Sequence, residues 1–178
     1  LTYVATANAV TYCGATPNFL DIERDSLGVC PEKLVRYLKK ETIKKGKFIY
    51  NKKTNKKIKA MIAVHLYGFP CKIIELKKIC KKNNIILIED AAEALGSLYK
   101  KKHLGTFGDA GVLSFNGNKQ ITCGSGGAVI TNNKTMCLKL KHLSTHAKKQ
   151  DLIDHIHDDI GYNYRMNNLS AAVGCAQM

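Results

Sequence analysis

Arginine is scarce in this chain. Of its 28 basic residues only Arg24, Arg36 and Arg165 are arginines, yet the formal net charge is +14. The lysines are scattered over helical patterns (Lys77, Lys78, Lys81, Lys82) and polar loops (Lys52, Lys53, Lys56, Lys57). Base recognition favours clustered arginine with interleaved aromatic rings. Neither is present, so the charge reads as a solvated lysine surface and not as a specific nucleic-acid site. Non-specific attraction to polyanions still follows from such a field. A CxxC pair is also lacking. Cys13, Cys30, Cys71, Cys80, Cys123, Cys137 and Cys175 are an odd set lying mainly in apolar contexts, where free cysteine behaves as a small hydrophobe. That argues against a secreted disulfide framework and suits a reducing cytoplasm. No apolar run approaches the ~20 residues of a membrane span. No basic n-region marks a signal peptide. His142, His146, His155 and His157 show no ligand spacing with a nearby cysteine pair, so metal binding finds little support.

What is present suffices for one packed α/β core: 178 residues, 45% hydrophobic. Short Val- and Ile-rich runs at 60–64, 85–88, 111–115 and 128–131 read as buried strands. Between the first two, residues 72–82 carry Ile73, Leu76, Ile79 and Cys80 at helical spacing. Pro31 opens another helix at a favoured first-turn position, with Leu34, Val35 and Leu38 inward. A further helix follows Asn132-Asn133, carrying Met136, Leu138, Leu140 and Leu143. Residues 48–58 read as a small β-hairpin with a lysine-rich polar turn. Alternating strands and helices imply a mostly parallel sheet with helices on both faces. No repeat, linker or domain boundary is visible. The chain starts at Leu1 inside an apolar small-residue pattern and stops at Met178 within a helical stretch. It reads as a piece of a longer protein.

Two residues carry the chemistry. Asp90 follows Ile85-Ile86-Leu87-Ile88-Glu89, which places it at the carboxyl end of a buried strand, the edge where open α/β sheets bind ligands. It is either a carboxylate for a ring nitrogen or the N-cap of a following helix. Lys119 follows Ser114-Phe115 by the loop Asn116-Gly117-Asn118, between apolar strands and away from the charged faces. A desolvated lysine exposes the neutral amine that attacks a carbonyl; a structural ion pair is the alternative. Pyridoxal phosphate chemistry needs that carboxylate and that amine together. Ser114, at its strand end, has a hydroxyl suited to a phosphate oxygen. Gly124-Ser125-Gly126-Gly127 is more simply a turn into the next strand than a phosphate cradle. His65, ending the 60–64 strand, reads as a satisfied structural histidine more readily than as an acid–base group.

Five ordered motifs then bring a resemblance. They are Ala63-Val64-His65-Leu66-Tyr67-Gly68; Ile88-Glu89-Asp90-Ala91-Ala92-Glu93-Ala94-Leu95-Gly96; Gly105-Thr106-Phe107-Gly108-Asp109; the 114–119 segment ending in Lys119; and Gly161-Tyr162-Asn163-Tyr164-Arg165-Met166. Together they resemble the DegT/DnrJ/EryC1/StrS sugar aminotransferases, pyridoxal-phosphate enzymes of fold type I, over nearly the whole chain. The resemblance implies the large domain of that fold across 1–178, incomplete without an upstream phosphate-binding helix start and a smaller C-terminal domain. It implies Lys119 as the lysine that holds the cofactor and moves the substrate proton, and Asp90 as the partner of the pyridinium nitrogen. It further implies Glu93 near the cofactor's O3′, Tyr3 stacked on the ring and Ser114 on the phosphate. Asn163 matches a residue reaching the phosphate of a neighbouring subunit, hence a homodimer with shared sites.

The resemblance also implies a substrate class. The 48–58 hairpin and the 114–119 string look like the legionaminic-acid and bacillosamine type. Those members aminate nucleotide-linked 4-keto-6-deoxy sugars, usually from glutamate, for surface polysaccharide, lipopolysaccharide or glycoprotein glycans. Relatives that dehydrate a keto-sugar carry histidine where Lys119 stands, so lysine argues for transamination. A non-catalytic or truncated scaffold with this fold is the rival reading.

Overall fold

A computed structural model of the chain describes residues 1–149 and 155–178. Its centre is a four-stranded sheet in the order β4-β5-β8-β9, made of Ala60–Val64, Ile86–Asp90, Ala110–Ser114 and Gly127–Ile130. β4, β5 and β8 run parallel, and β9 pairs antiparallel to β8 at the edge. The expected mostly parallel α/β architecture is therefore present. In the register, Met61 pairs with Leu87 and Ala63 with Glu89, and Glu89 pairs with Gly111. Side chains alternate along a strand, so these residues share one face, and all of them are buried.

Helix α3 (Ile73–Lys82) packs on that face, and α2 (Pro31–Glu41) packs against α3. Each has a carboxylate in its first turn (Glu32, Glu75) and lysines in its last (Lys39 and Lys40; Lys81 and Lys82), the arrangement the helix dipole favours. Ile73, Leu76 and Cys80 of α3 are buried, and the Cys80 Sγ lies 3.6 Å from Met61 Sδ. Leu34 of α2 joins the same core. The opposite sheet face is more open than a fully covered one. There Ile86, Val112 and Val129 remain 45%, 37% and 49% exposed, and helix α1 (Val4–Tyr12) reaches its edge at Asp90.

The strand expected at 85–88, with Asp90 at its carboxyl end, spans Ile86–Asp90 and carries Glu89 buried within it. The hairpin expected at 48–58 is a three-stranded antiparallel meander. β1 (Thr42–Lys45) pairs with β2 (Phe48–Asn51), and β2 with β3 (Lys57–Ile58). The extra strand was hidden by its lysines, which present only Thr42 and Ile43 as β-formers. Thr42 and Ile49 are buried beneath it, and on the outside Lys57 lies 3.1 Å from the Phe48 ring centroid. A two-stranded hairpin, β6 (Leu98–Tyr99) with β7 (Lys102–His103), sets Tyr99 against Phe107 at 6.0 Å between ring centroids. Helices α4 (Lys134–Ser144) and α5 (Asn168–Gln177) are each capped by an asparagine, Asn133 and Asn167, accepting from the third residue on. No helix among the described residues is long and apolar enough to cross a membrane.

Leu76 is fully buried between α3 and the sheet. Leu76→Ala is expected to lower stability by about 2–5 kcal/mol, the range for a leucine cavity that cannot collapse. Urea denaturation of the full-length protein, read against wild type, measures it.

Candidate active site

The carboxyl ends of β4, β5 and β8 form one edge, and their terminal residues are placed by register. Val64 pairs with Asp90, Asp90 with Val112, and Ser114 lies two residues further along β8. Beneath this edge is a buried carboxylate. Glu89 is fully buried and accepts from His65 Nε2 at 2.9 Å, from the Gly105 N–H at 2.9 Å, and from the N–H groups of Phe107 and Gly108. Burial alone would push its carboxyl up. The hydrogen bonds from His65, Gly108 and Gly105 outweigh that and hold it below its ordinary value of 4.5. His65 Nδ1 accepts from the Cys71 N–H at 3.3 Å, which leaves the ring proton on Nε2, facing Glu89. His65 is thus the satisfied structural histidine expected. Burial, then the Glu89 charge, pushes the neighbouring Cys71 thiol up to about 12, so it stays an unreactive hydrophobe.

Alternation then turns Asp90 to the other side of the sheet. No helix follows it, because residues 91–96 are turns, so the capping alternative falls. Its Oδ1 accepts from the Ala92 N–H at 3.2 Å, and its Oδ2 from Thr6 Oγ1 at 2.7 Å. Thr6 was not singled out in the sequence. The only trace of it is the four-residue spacing from Thr2, whose Oγ1 lies 2.9 Å from that of Thr6.

Lys119 sits in the loop after β8 with its side chain only 16% exposed, and its Nζ is 3.7 Å from Glu93 Oε1. The other Glu93 oxygen accepts from the Tyr67 N–H at 2.8 Å, and the Glu93 carbonyl accepts from Gln120 Nε2 at 3.1 Å. Glu93 thereby ties the loops after β4, β5 and β8 together. Tyr67 is held there in a left-handed conformation with φ 52°, an uncommon backbone state for a residue with a Cβ. The Ser114 Oγ accepts from the Asn116 N–H at 3.3 Å and keeps its own proton to donate. Gly124 and Gly126 take positive φ values of 78° and 105° and lead into β9, the turn role expected of them. Tyr3, the N-cap residue of α1, is 77% exposed and makes no capping bond. Asn163 is exposed, in an open pocket shared with Gly126, Gly127 and Arg165 whose lining includes neither Asp90 nor Lys119. Among the described residues no three His, Cys, Asp or Glu side chains gather as a metal site.

The arrangement suits pyridoxal phosphate. A poorly exposed amine matches its aldehyde, and Asp90 keeps a free lone pair on each oxygen for a ring N–H. A donor hydroxyl, Ser114, stands on the same edge. The solved structures that this chain resembles include aminotransferases. The sequence profile of the DegT/DnrJ/EryC1/StrS aminotransferase family matches residues 1–178, and the chain belongs to that family.

Among its relatives, the GDP-perosamine synthase of Escherichia coli O157:H7 is 43% identical over 181 residues, covering 100% of this chain and 44% of that protein. The UDP-4-amino-4,6-dideoxy-N-acetyl-beta-L-altrosamine transaminase of Campylobacter jejuni is 37% identical, covering 100% and 44%. Helicobacter pylori PseC, an aminotransferase involved in the biosynthesis of pseudoaminic acid, superposes with a TM-score of 0.84 at 32% identity, covering 99% and 43%. The chain thus spans less than half the length of the relatives it matches.

Glu89→Gln keeps the shape but turns an NH₂ toward one pair of donors. It is expected to cost about 1–3 kcal/mol at neutral pH, the range for buried donors left without an acceptor. Because the folded carboxyl lies below its unfolded value, its contribution is complete above about pH 4.5 and is lost as pH falls through the folded value. Urea midpoints from pH 7 to pH 3 therefore fall more steeply for wild type than for the variant.

Proposed function

We propose that this chain is the large-domain part of a pyridoxal-phosphate-dependent aminotransferase acting on a nucleotide-linked sugar. The observation that carries the reading is the pairing of Lys119, its side chain 16% exposed, with a doubly anchored Asp90 on one sheet edge. The amino group goes from glutamate to the C4 ketone of a 4-keto-6-deoxy sugar, for surface glycan or polysaccharide. The 4-amino-4,6-dideoxy sugar in the Campylobacter relative's name supports that position. The relatives' names carry GDP in one case and UDP in another, so the proposal commits to the sugar end and not to the base. A cytoplasmic homodimer completes the reading, with Asn163 reaching the phosphate site of the neighbouring subunit. An upstream phosphate-binding helix start and a smaller C-terminal domain complete the fold.

When bound, the cofactor supplies a carbonyl for amines and a sink for the electron pair left when a Cα proton departs. The chain's own residues do the rest. Lys119 would hold the cofactor through its Nζ, and the same amine would move the substrate's Cα proton. Asp90 would pair with the ring nitrogen and keep it protonated. Ser114 would donate to the phosphate, Tyr3 would stack on the ring and Glu93 would lie near O3′. Lysine in place of histidine at 119 favours amine transfer over keto-sugar dehydration.

Borohydride reduction of the full-length protein with pyridoxal phosphate, followed by peptide mass mapping, tests the reading. A pyridoxyl mass is expected on the peptide bearing Lys119, with Lys119→Ala losing the label and all turnover above background. An unlabelled wild type, or an active Lys119→Ala enzyme, overturns it.

A further inference from the structure

We propose that Thr6 is a positioning residue for Asp90, backed by Thr2, so that a chain of two hydroxyls at the start of α1 fixes how that carboxylate faces the site. The inference rests on the reading of Asp90 as the partner of the cofactor's ring nitrogen. Thr6 Oγ1 donates to Asp90 Oδ2 at 2.7 Å from 84 positions away in the sequence. A hydroxyl has one proton. Once Thr6 gives its proton to Asp90 it can only accept across the 2.9 Å contact, so Thr2 is the donor there, in preference to its longer 3.3 Å contact with the Tyr3 carbonyl. The chain is therefore polarised toward the carboxylate, and hydrogen bonds in series strengthen one another.

A carboxylate on a short side chain turns easily, because its terminal torsion is broad and roughly two-fold. Asp90 is held on both oxygens. The Ala92 N–H takes Oδ1 from its own turn, and Thr6 takes Oδ2 from a separate helix. One lone pair on each oxygen is used and one is left, so the carboxylate is held in one orientation with two pairs free. No residue of α1 is buried, so core packing does not hold the helix against the sheet, and the Thr6 hydroxyl is a specific tie to β5. Tyr3 occupies the N-cap position of the same helix. The residue assigned to the ring face and the residue that aims the carboxylate thus move on one turn of backbone.

The test uses the full-length enzyme with Thr6→Val, which keeps the branched shape and removes the hydroxyl, and Thr6→Ser, which restores it. Two quantities are read: the dissociation constant for pyridoxal phosphate, and the pH midpoint of the bound cofactor's absorbance change. Thr6→Val is expected to weaken binding about tenfold, the scale of one hydrogen bond to a charged group, and to displace the midpoint. Thr6→Ser is expected to stay within about twofold of wild type on both. Where Thr6→Val fails to fold, Thr2→Val is read instead, with about a threefold loss expected through the weakened Thr6 bond. A wild type that labels at Lys119 while Thr6→Val keeps wild-type affinity and midpoint overturns the inference and leaves the proposed function standing. Serine behaving like valine, or an unchanged Thr2→Val where that variant is the one read, overturns it equally. A wild type that takes no label overturns both.

Discussion

A single buried carboxylate organises this chain. Glu89 sits in the middle of the central sheet with no solvent contact, and such a charge survives only when its oxygens are fully engaged. Its donors come from two directions: His65 at the end of β4, and the backbone of the loop running from Gly105 to Gly108. Satisfying Glu89 therefore joins two neighbouring strands to the loop that enters the third. Gly111 serves the same junction, since a Cβ there would lie 2.0 Å from the Gly105 carbonyl oxygen. Strand alternation does the rest. The carboxylate after Glu89 must face the other way, and a rigid Glu89 makes Asp90 a fixed point on the opposite side.

Around that fixed point, the functional loops are held by polar contacts more than by packing. Glu93 binds the Tyr67 backbone and pairs with Lys119, while α1 arrives without a buried residue and touches Asp90 through a hydroxyl. The apolar core lies on the α2 and α3 side, beneath the edge and away from it. Stability and site geometry are thus divided between two faces of one sheet. The heavy positive charge takes little part in either, because most of its lysines stand on exposed helix and meander surfaces. Lys119 differs by its placement beneath the loops, with its side chain largely withdrawn from solvent.

Much of this was legible in the residues themselves. Periodicity located α2, α3 and the central strands to within a residue or two, because each has one face that must be buried. The order of strands and helices gave the parallel sheet, and with it the edge on which Asp90, Ser114 and Lys119 would stand. Other features were not legible. The strand Thr42–Lys45 has two lysines in four residues and shows itself only through its pairing with Phe48–Asn51. Asp90 has the composition of a helix cap, and only the turn after it removes that role. The apolar, small-residue sequence of α1 gives no sign that one of its threonines reaches a strand 84 positions away.

The sequence by itself determined the class of fold and the family, and it singled out the pair of residues proposed for the chemistry. Those follow from local periodicity and from ordered motifs, which need no knowledge of distant contacts. Tertiary structure alone decided that Glu89 is the internal anchor and Asp90 the outward carboxylate, two adjacent acids with opposite roles. It also decided that Thr6 bonds to Asp90 and that Glu93 pairs with Lys119. The reason is physical: hydrogen bonds between side chains remote in sequence leave no periodic signature, and they exist only once the sheet has brought its strand ends together.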